Sequence, residues 1–245
     1  MSSCLAVIPA RWASTRFPGK PLEEIAGKPL VQHVWERCQE CSGLDAAVIA
    51  TDDERILAAA QAFGADVRMT RADHPSGTDR IAEVAAFFPT HDCIINVQGD
   101  EPLISPALID RLAQTLREQP DLPMVTAANP LTDEALLDDP NVVKTVLNLA
   151  GDALYFSRSR LPFPRTRNVP GLQTLRHKGI YGYRRDFLLQ FVSWPPGILE
   201  QTEGLEQLRA LENGARIRVL VTGDDSPGVD TPEQARIVTA LIKAG

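Results

Sequence analysis

Three segments of this chain place charged side chains where an apolar stretch ends. The first is CLAVIPARWASTRFPGK, residues 4–20. An apolar run from Cys4 to Ile8 breaks at Pro9. Arg11, Arg16 and Lys20 then follow with the hydroxyls Ser14 and Thr15 and a Pro18-Gly19 break. Like charges this close repel one another, by about 1 kcal/mol per pair at 4 Å in water and roughly 4 at an effective dielectric of 20. A polyanion in the loop reverses that sign. The loop is either a triphosphate cradle at the carboxyl end of a strand, where open α/β sheets bind ligands, or a solvated surface loop.

The second segment is Asn96-Val97-Gln98-Gly99-Asp100-Glu101-Pro102. An apolar strand delivers Gln98, Gly99 and Asp100 at its edge, and the glycine lets the backbone come close to a ligand. A carboxylate there can hold a divalent cation that bridges phosphates, since magnesium takes only one or two protein carboxylates. The plain alternative is a Gly-Asp turn. The third segment runs from Asp224 to Pro232 and carries Asp230 just before a helix start. Asp230 is either structural, near an N-cap, or a second oxygen ligand beside Asp100. Two carboxylates brought together repel unless a cation lies between them.

The elements that must position these segments alternate. Apolar runs at 5–8, 46–50, 67–69, 93–97, 124–128 and 217–221 read as strands. Helical spacing covers 30–41, 53–63 (with Asp52 as a candidate cap), 79–88 and the stretch after Ser105-Pro106. Further helices are expected at 186–192 and 205–213 and after Thr231-Pro232-Glu233. Such alternation implies a three-layer α/β domain with a mostly parallel sheet covered on both faces. Between 142 and 183 three strand-like runs, 142–149, 153–157 and 179–183, lack intervening helices, which predicts an antiparallel excursion at about 140–185. The 245 residues suit one domain spanning 1–245.

A net charge of −7 argues against a nucleic-acid binder. Arg158, Arg160, Arg165, Arg167, Arg176 and Lys178 nevertheless crowd one acid-free stretch with His177, as small anionic ligands would favour. Arg160, Arg167 and Lys178 read as plain surface charge, and His33, His74 and His91 receive no role. Cys38 and Cys41 form a CxxC without a second ligand pair, so burial is the expectation rather than metal or redox use. No apolar run approaches the length of a membrane span, and no secretory signal is visible; the expectation is a cytoplasmic protein. Walker A, GxGxxG and GxSxG patterns are all missing.

Taken together, PARWASTRFPGKPL, ATDDE (50–54), MTRADHPSGTDR (69–80), NVQGDEP (96–102), LYFSR (154–158), RHKGIYGY (176–183), LEQLRALENG (205–214) and VDTP (229–232) resemble one family. It is that of the 3-deoxy-D-manno-octulosonate (Kdo) cytidylyltransferases, the CMP-Kdo synthetases. The resemblance implies a nucleotide-diphospho-sugar transferase fold, a homodimer built on the antiparallel excursion, magnesium, and a place in lipopolysaccharide precursor synthesis. It implies that CTP and an acidic octulosonate sugar are the partners, with in-line attack of the sugar's anomeric hydroxyl on the α-phosphorus. By the same resemblance Arg11 and Lys20 bind the CTP phosphates with Ser14 helping, and Asp100 and Asp230 hold magnesium. Arg71, Ser76, Gly77 and Thr78 lie near cytosine and ribose, with Gln98 at the nucleotide as well. Gln98, Arg158, Arg165, His177, Tyr181, Glu206 and Gln207 line the sugar-acid pocket. Trp12 and Phe17 depart from the family's usual residues, and the stretch 166–175 is short. Two other functions fit the same residues: a cytidylyltransferase for a nonulosonic acid such as a sialic acid, and a catalytically idle nucleotide-binding regulator.

Overall fold

The fold was taken from a computed structural model, which describes residues 2–13, 17–166 and 169–244. Its first half is β1 (Cys4–Ala10), the short pair β2 (Glu24–Ile25) and β3 (Lys28–Pro29), α1 (Leu30–Gln39), β4 (Ala46–Thr51), α2 (Glu54–Ala62), β5 (Asp66–Met69), α3 (Gly77–Ala86), β6 (Cys93–Asn96) and α4 (Pro106–Glu118). There follow β7 (Met124–Pro130), β8 (Lys144–Leu147), β9 (Ala153–Ser157), β10 (Leu175–Arg184), α5 (Arg185–Ser193), α6 (Ile198–Glu203), α7 (Gln207–Glu212), β11 (Ile217–Val221) and α8 (Pro232–Ala244).

The main sheet runs in the order β11-β7-β10-β6-β1-β4-β5. Its neighbours are parallel except around β10, which lies antiparallel between β6 and β7. The strand period divides the core in two. Cys4, Ala6 and Ile8 of β1 face α1, α2 and α4, whereas Leu5 and Val7 face α3, α5 and α7. This is the covered, mostly parallel sheet expected from the sequence. The antiparallel excursion is smaller than expected. β8 and β9 form it, but the third run is a central strand of the main sheet, with Gly182 pressed against Val125, Ile95 and Leu116.

Two local expectations change. Asp53, not Asp52, caps α2, accepting from the Arg55 amide at 2.9 Å. The Asp52 carboxylate instead takes a guanidinium hydrogen bond from the buried Arg80 at 2.8 Å. A third, small core of Ile25, Leu30, Val229, Ala235 and Val238 sits under α8, with Phe17 and Leu103 packed on it. It joins the end of the basic loop to the segment carrying Asp230. Cys4, Cys38, Cys41 and Cys93 form no disulfide, and all but Cys41 are buried. Burial pushes the Cys41 thiol up to about 12 and the Cys38 thiol further in the same direction, which disfavours the thiolate form that metal or redox use requires. Among the described residues no helix is long and apolar enough to cross a membrane.

Candidate active site

The carboxyl ends of β1 and β6 are adjacent because these strands pair in parallel. That adjacency brings the first two chemical segments together. Gly99 is packed so tightly that a Cβ there would lie 2.7 Å from the Pro9 carbonyl oxygen, so only glycine lets the two strand ends approach this closely. The turn after β6 is closed by Glu101 N donating to Gln98 O at 3.2 Å, and the third segment docks on it through Val229 N donating to Asp100 O at 2.8 Å. Thr231 and Gln234 supply the cap at the start of α8: the Gln234 Oε1 accepts from the amides of Asp230 and Thr231 at 2.7 and 3.1 Å. The structural cap role considered for Asp230 thus belongs to neighbouring side chains.

The Asp230 carboxylate points back to Lys20. The Lys20 ammonium donates to Asp100 Oδ2 at 2.7 Å and to Asp230 Oδ1 at 3.2 Å. Two acids 130 positions apart in the chain therefore converge on one cation. A cleft of about 240 Å³ surrounds this trio, lined also by Arg11, Ser76, Gly77, Arg80, Gln98 and Gly99. Gly77 opens α3, and Ser76 caps it by accepting from the amides of Thr78 and Asp79 at 3.1 and 3.2 Å. The α3 N-terminus and three cations, Arg11, Lys20 and Arg80, thus line one cleft, as suits an anionic ligand. A larger cavity, about 690 Å³, lies beside this one under α8. The smaller cleft holds the convergent chemistry.

Arg80 is a cleft residue that the sequence reading did not single out. Its guanidinium is held by Asp52 and Thr70. The visible signal was its place one turn into a helix whose N-terminus faces the cleft. Ser14 lies outside the described residues, as do Thr15, Arg16 and Arg167. Arg71 does not reach the cleft: it is exposed and paired with Asp73 at 2.8 Å.

The expected sugar pocket forms in part. Glu206 accepts from Ser76 Oγ at 2.9 Å and from Thr78 Oγ1 at 2.6 Å, which ties it to the cap of α3. Burial pushes its carboxyl up, while the Thr78 and Ser76 hydroxyl donors and the nearby Arg209 charge act in the opposite direction. The neighbouring Gln207 is buried, and its Nε2 has no hydrogen-bond partner within the described protein. A buried donor left without a partner is what a hydroxyl-bearing ligand would satisfy. Ser76 borders both the cleft and a second recess of about 520 Å³ that Glu206 lines. His177 and Tyr181 sit close by in β10, their rings 5.3 Å apart, with Phe156 5.0 Å from His177. Burial lowers the His177 pKa to about 3, so the imidazole is neutral. Thr126 Oγ1 donates to Ile180 O at 2.7 Å and therefore accepts from His177 Nε2 at 3.0 Å, which fixes the proton on Nε2. Gln98 sits beside Gly179 of β10 and donates to Asn96 Oδ1 at 3.0 Å.

Two further residues expected at the sugar line none of these cavities. Arg158 donates to the carbonyls of Glu203, Pro140 and Gly204 at 2.7, 2.8 and 3.3 Å, and so ties two turns together. Arg165 is exposed and lines none of these cavities. Lys178, read as plain surface charge, is buried: its side chain is 4% exposed.

The chain has counterparts among known proteins. A protein-family model described as cytidylyltransferase matches residues 5–217. The chain is 54% identical over 240 residues to a 3-deoxy-manno-octulosonate cytidylyltransferase of Solibacter usitatus, covering 98% of this chain and 94% of that protein. It is 52% identical to the protein of the same name from Pseudomonas syringae pv. tomato, covering 97% of each. The solved structure of a CMP:2-keto-3-deoxy-manno-octonic acid synthetase complexed with CTP superposes with a TM-score of 0.94 at 46% identity, covering 99% of both chains.

Proposed function

The chain belongs to the cytidylyltransferase family, and from that premise we propose that it transfers the cytidylyl group of CTP to 3-deoxy-manno-octulosonate, releasing pyrophosphate. The observation that carries this reading is the meeting of Lys20, Asp100 and Asp230 in a cleft walled by Arg11 and the α3 N-terminus. Identity of about half over nearly the whole length with proteins bearing that name supports the sugar acid. A product that feeds lipopolysaccharide assembly, and a cytoplasmic location, belong to the same reading.

Asp100 and Asp230 would hold magnesium. The donor set fits: two hard carboxylate oxygens flank one point, where the Lys20 ammonium now stands as the cation between them. When bound, such an ion neutralises phosphate charge and lowers the pKa of a coordinated hydroxyl. The protein's own groups do the rest. Arg11 and Lys20 offset charge on the departing pyrophosphate, and the α3 N-terminus at Gly77 adds its positive dipole end. Glu206 and the unpaired Gln207 Nε2 hydrogen-bond sugar hydroxyls, and the neutral His177 positions the sugar without adding charge. Arg158 supports the pocket through backbone carbonyls. Arg165 reaches the sugar carboxylate only if its exposed segment moves. Support for a homodimer is the set of exposed apolar side chains Leu149, Leu154, Phe163, Val169 and Leu172 on the 140–185 region.

Pyrophosphate release measured across four nucleoside triphosphates and several sugar acids tests the assignment. CTP with the octulosonate should give the highest kcat/KM, and Asp100→Ala should abolish release while the protein stays folded. Faster turnover with a sialic acid would replace the substrate. CTP binding with no release for any acid would replace the activity with that of an idle regulator.

A further inference from the structure

The cavity beside the cleft contains a buried cluster of charges. Lys178 reaches it from β10, just before the register of that strand shifts against β7. Its ammonium lies 3.3 Å from the Asp224 carbonyl oxygen, 3.2 Å from Ser226 Oγ and 3.8 Å from the Asp224 carboxylate. Asn129 of β7 donates to the same carbonyl. The Asp224 carboxylate accepts from Ser226 N at 3.1 Å and Ser105 N at 3.4 Å. Glu101 closes the cluster. Its Oε2 is buried without a hydrogen-bond partner among the described residues, and the Lys178 ammonium is the strongest charge acting on it.

The position of this cluster gives it a consequence for the cleft. Asp224 and Ser226 begin the loop that ends at Asp230, and Glu101 follows Asp100 directly. The far end of the loop is fixed to the Asp100 turn by Val229 N, and Gly228 lies over that turn. The near end is held to the sheet by the ammonium and the Asn129 amide. Without the ammonium, Glu101 and Asp224 would lose the strongest cation acting between them, leaving only the more distant Arg176 for Glu101, and an ion pair of low exposure broken on one side is strongly disruptive.

We propose that Lys178 is a positioning residue whose buried ammonium fastens the 224–230 loop to the sheet and thereby sets the separation of Asp230 from Asp100. The inference rests on the reading of those two aspartates as a metal pair. Lys178 touches neither aspartate: it acts on the pair as an outer layer of hydrogen bonds acts on metal ligands, where loss of one partner weakens metal affinity by about 10–100-fold.

The test is Mn²⁺ binding without nucleotide, read from the loss of the free-ion electron paramagnetic resonance signal, in the wild type, Asp100→Ala, Lys178→Met and Ser226→Ala. Melting curves run on the same samples. The wild type should bind Mn²⁺ in a manner lost in Asp100→Ala. Lys178→Met should bind about 10–100-fold more weakly, and Ser226→Ala should weaken it less while melting near the wild type. A folded Lys178→Met with wild-type Mn²⁺ affinity overturns the inference and leaves the metal pair standing. If Lys178→Met does not fold, Ser226→Ala decides, and unchanged affinity there overturns it equally. Wild-type binding that survives Asp100→Ala removes the metal pair itself, and the positioning role with it.

Discussion

Lys20→Met separates two roles that one ammonium holds in this reading. Without ligand the ammonium bridges Asp100 and Asp230, and with triphosphate present it offsets the leaving phosphates. Coulomb's law at an effective dielectric of 20 gives about 6 kcal/mol gross for the contact with Asp100. Desolvation of both ions removes most of that, and charge-assisted hydrogen bonds retain about 1.5–3 kcal/mol net. The Asp230 side chain is 47% exposed, so screening limits its share to about 0–1 kcal/mol. A divalent ion entering between the carboxylates must therefore displace roughly 2 kcal/mol of ammonium contact, equivalent to about 30-fold in affinity. Mn²⁺ should bind Lys20→Met about 30-fold more tightly than the wild type when nucleotide is absent. Turnover with CTP and the octulosonate should nevertheless fall by about 10²–10³, the size of losing one preorganised charge at a developing anion. Free-ion resonance and pyrophosphate release on the same preparations read both quantities. Equal or weaker Mn²⁺ binding in the variant would refute the placeholder argument, and near-normal turnover would refute the phosphate role.

Two further perturbations test how the fold supports the site. Gly99→Ala puts a Cβ against the Pro9 carbonyl; overpacking of this kind costs about 1–3 kcal/mol. The displaced Asp100 should lower turnover by about 10², whereas a variant with normal melting and normal turnover would show that the two strand ends can separate freely. For His177, burial holds the folded pKa at about 3 against an ordinary 6.5, so the unfolded chain binds the proton more readily. Its contribution to stability is complete above 6.5 and is lost as pH falls toward 3, by about 2–3 kcal/mol at a pH near 4.5. Urea midpoints at that pH and at 7 should therefore diverge less in His177→Asn than in the wild type. Equal acid sensitivity in the two proteins would place the imidazole in water rather than in the pocket.

The parts of this molecule that could be read from sequence share a property: their surroundings are local. β1 and β6 are apolar on both faces, so their burial in a covered sheet follows from composition over five or six residues, whatever the neighbours. Arg11, Lys20, Asp100 and Asp230 sit at strand ends or a helix start, and those positions face the ligand side in any parallel sheet. Their convergence needed only the sheet. The insertion of β10 between β6 and β7 could not be read in the same way. Nothing within 175–184 specifies which two strands it will join, and an antiparallel strand in a parallel sheet looks like an excursion until its partners are known.

The partners of individual charges were hidden for the same reason. Asp52 was a plausible helix cap by position, but its partner Arg80 stands 28 residues away and reaches it across the ends of β4 and α3. Arg158 resembled a ligand cation, yet three carbonyls from two distant turns already occupy its guanidinium. Lys178 is the clearest case. A lysine beside glycine in a basic stretch reads as solvated, because burying an ammonium costs several kcal/mol unless partners are waiting. Those partners, Asp224 and Ser226, lie 46 and 48 residues onward and arrive only because β11 pairs with β7 and turns the loop back over β10. A buried cation is legible when its counter-charges are legible, and here they are supplied by strand order. The same order determines where Asp230 sits, so a charge invisible in sequence and a charge apparent in it depend on one piece of topology.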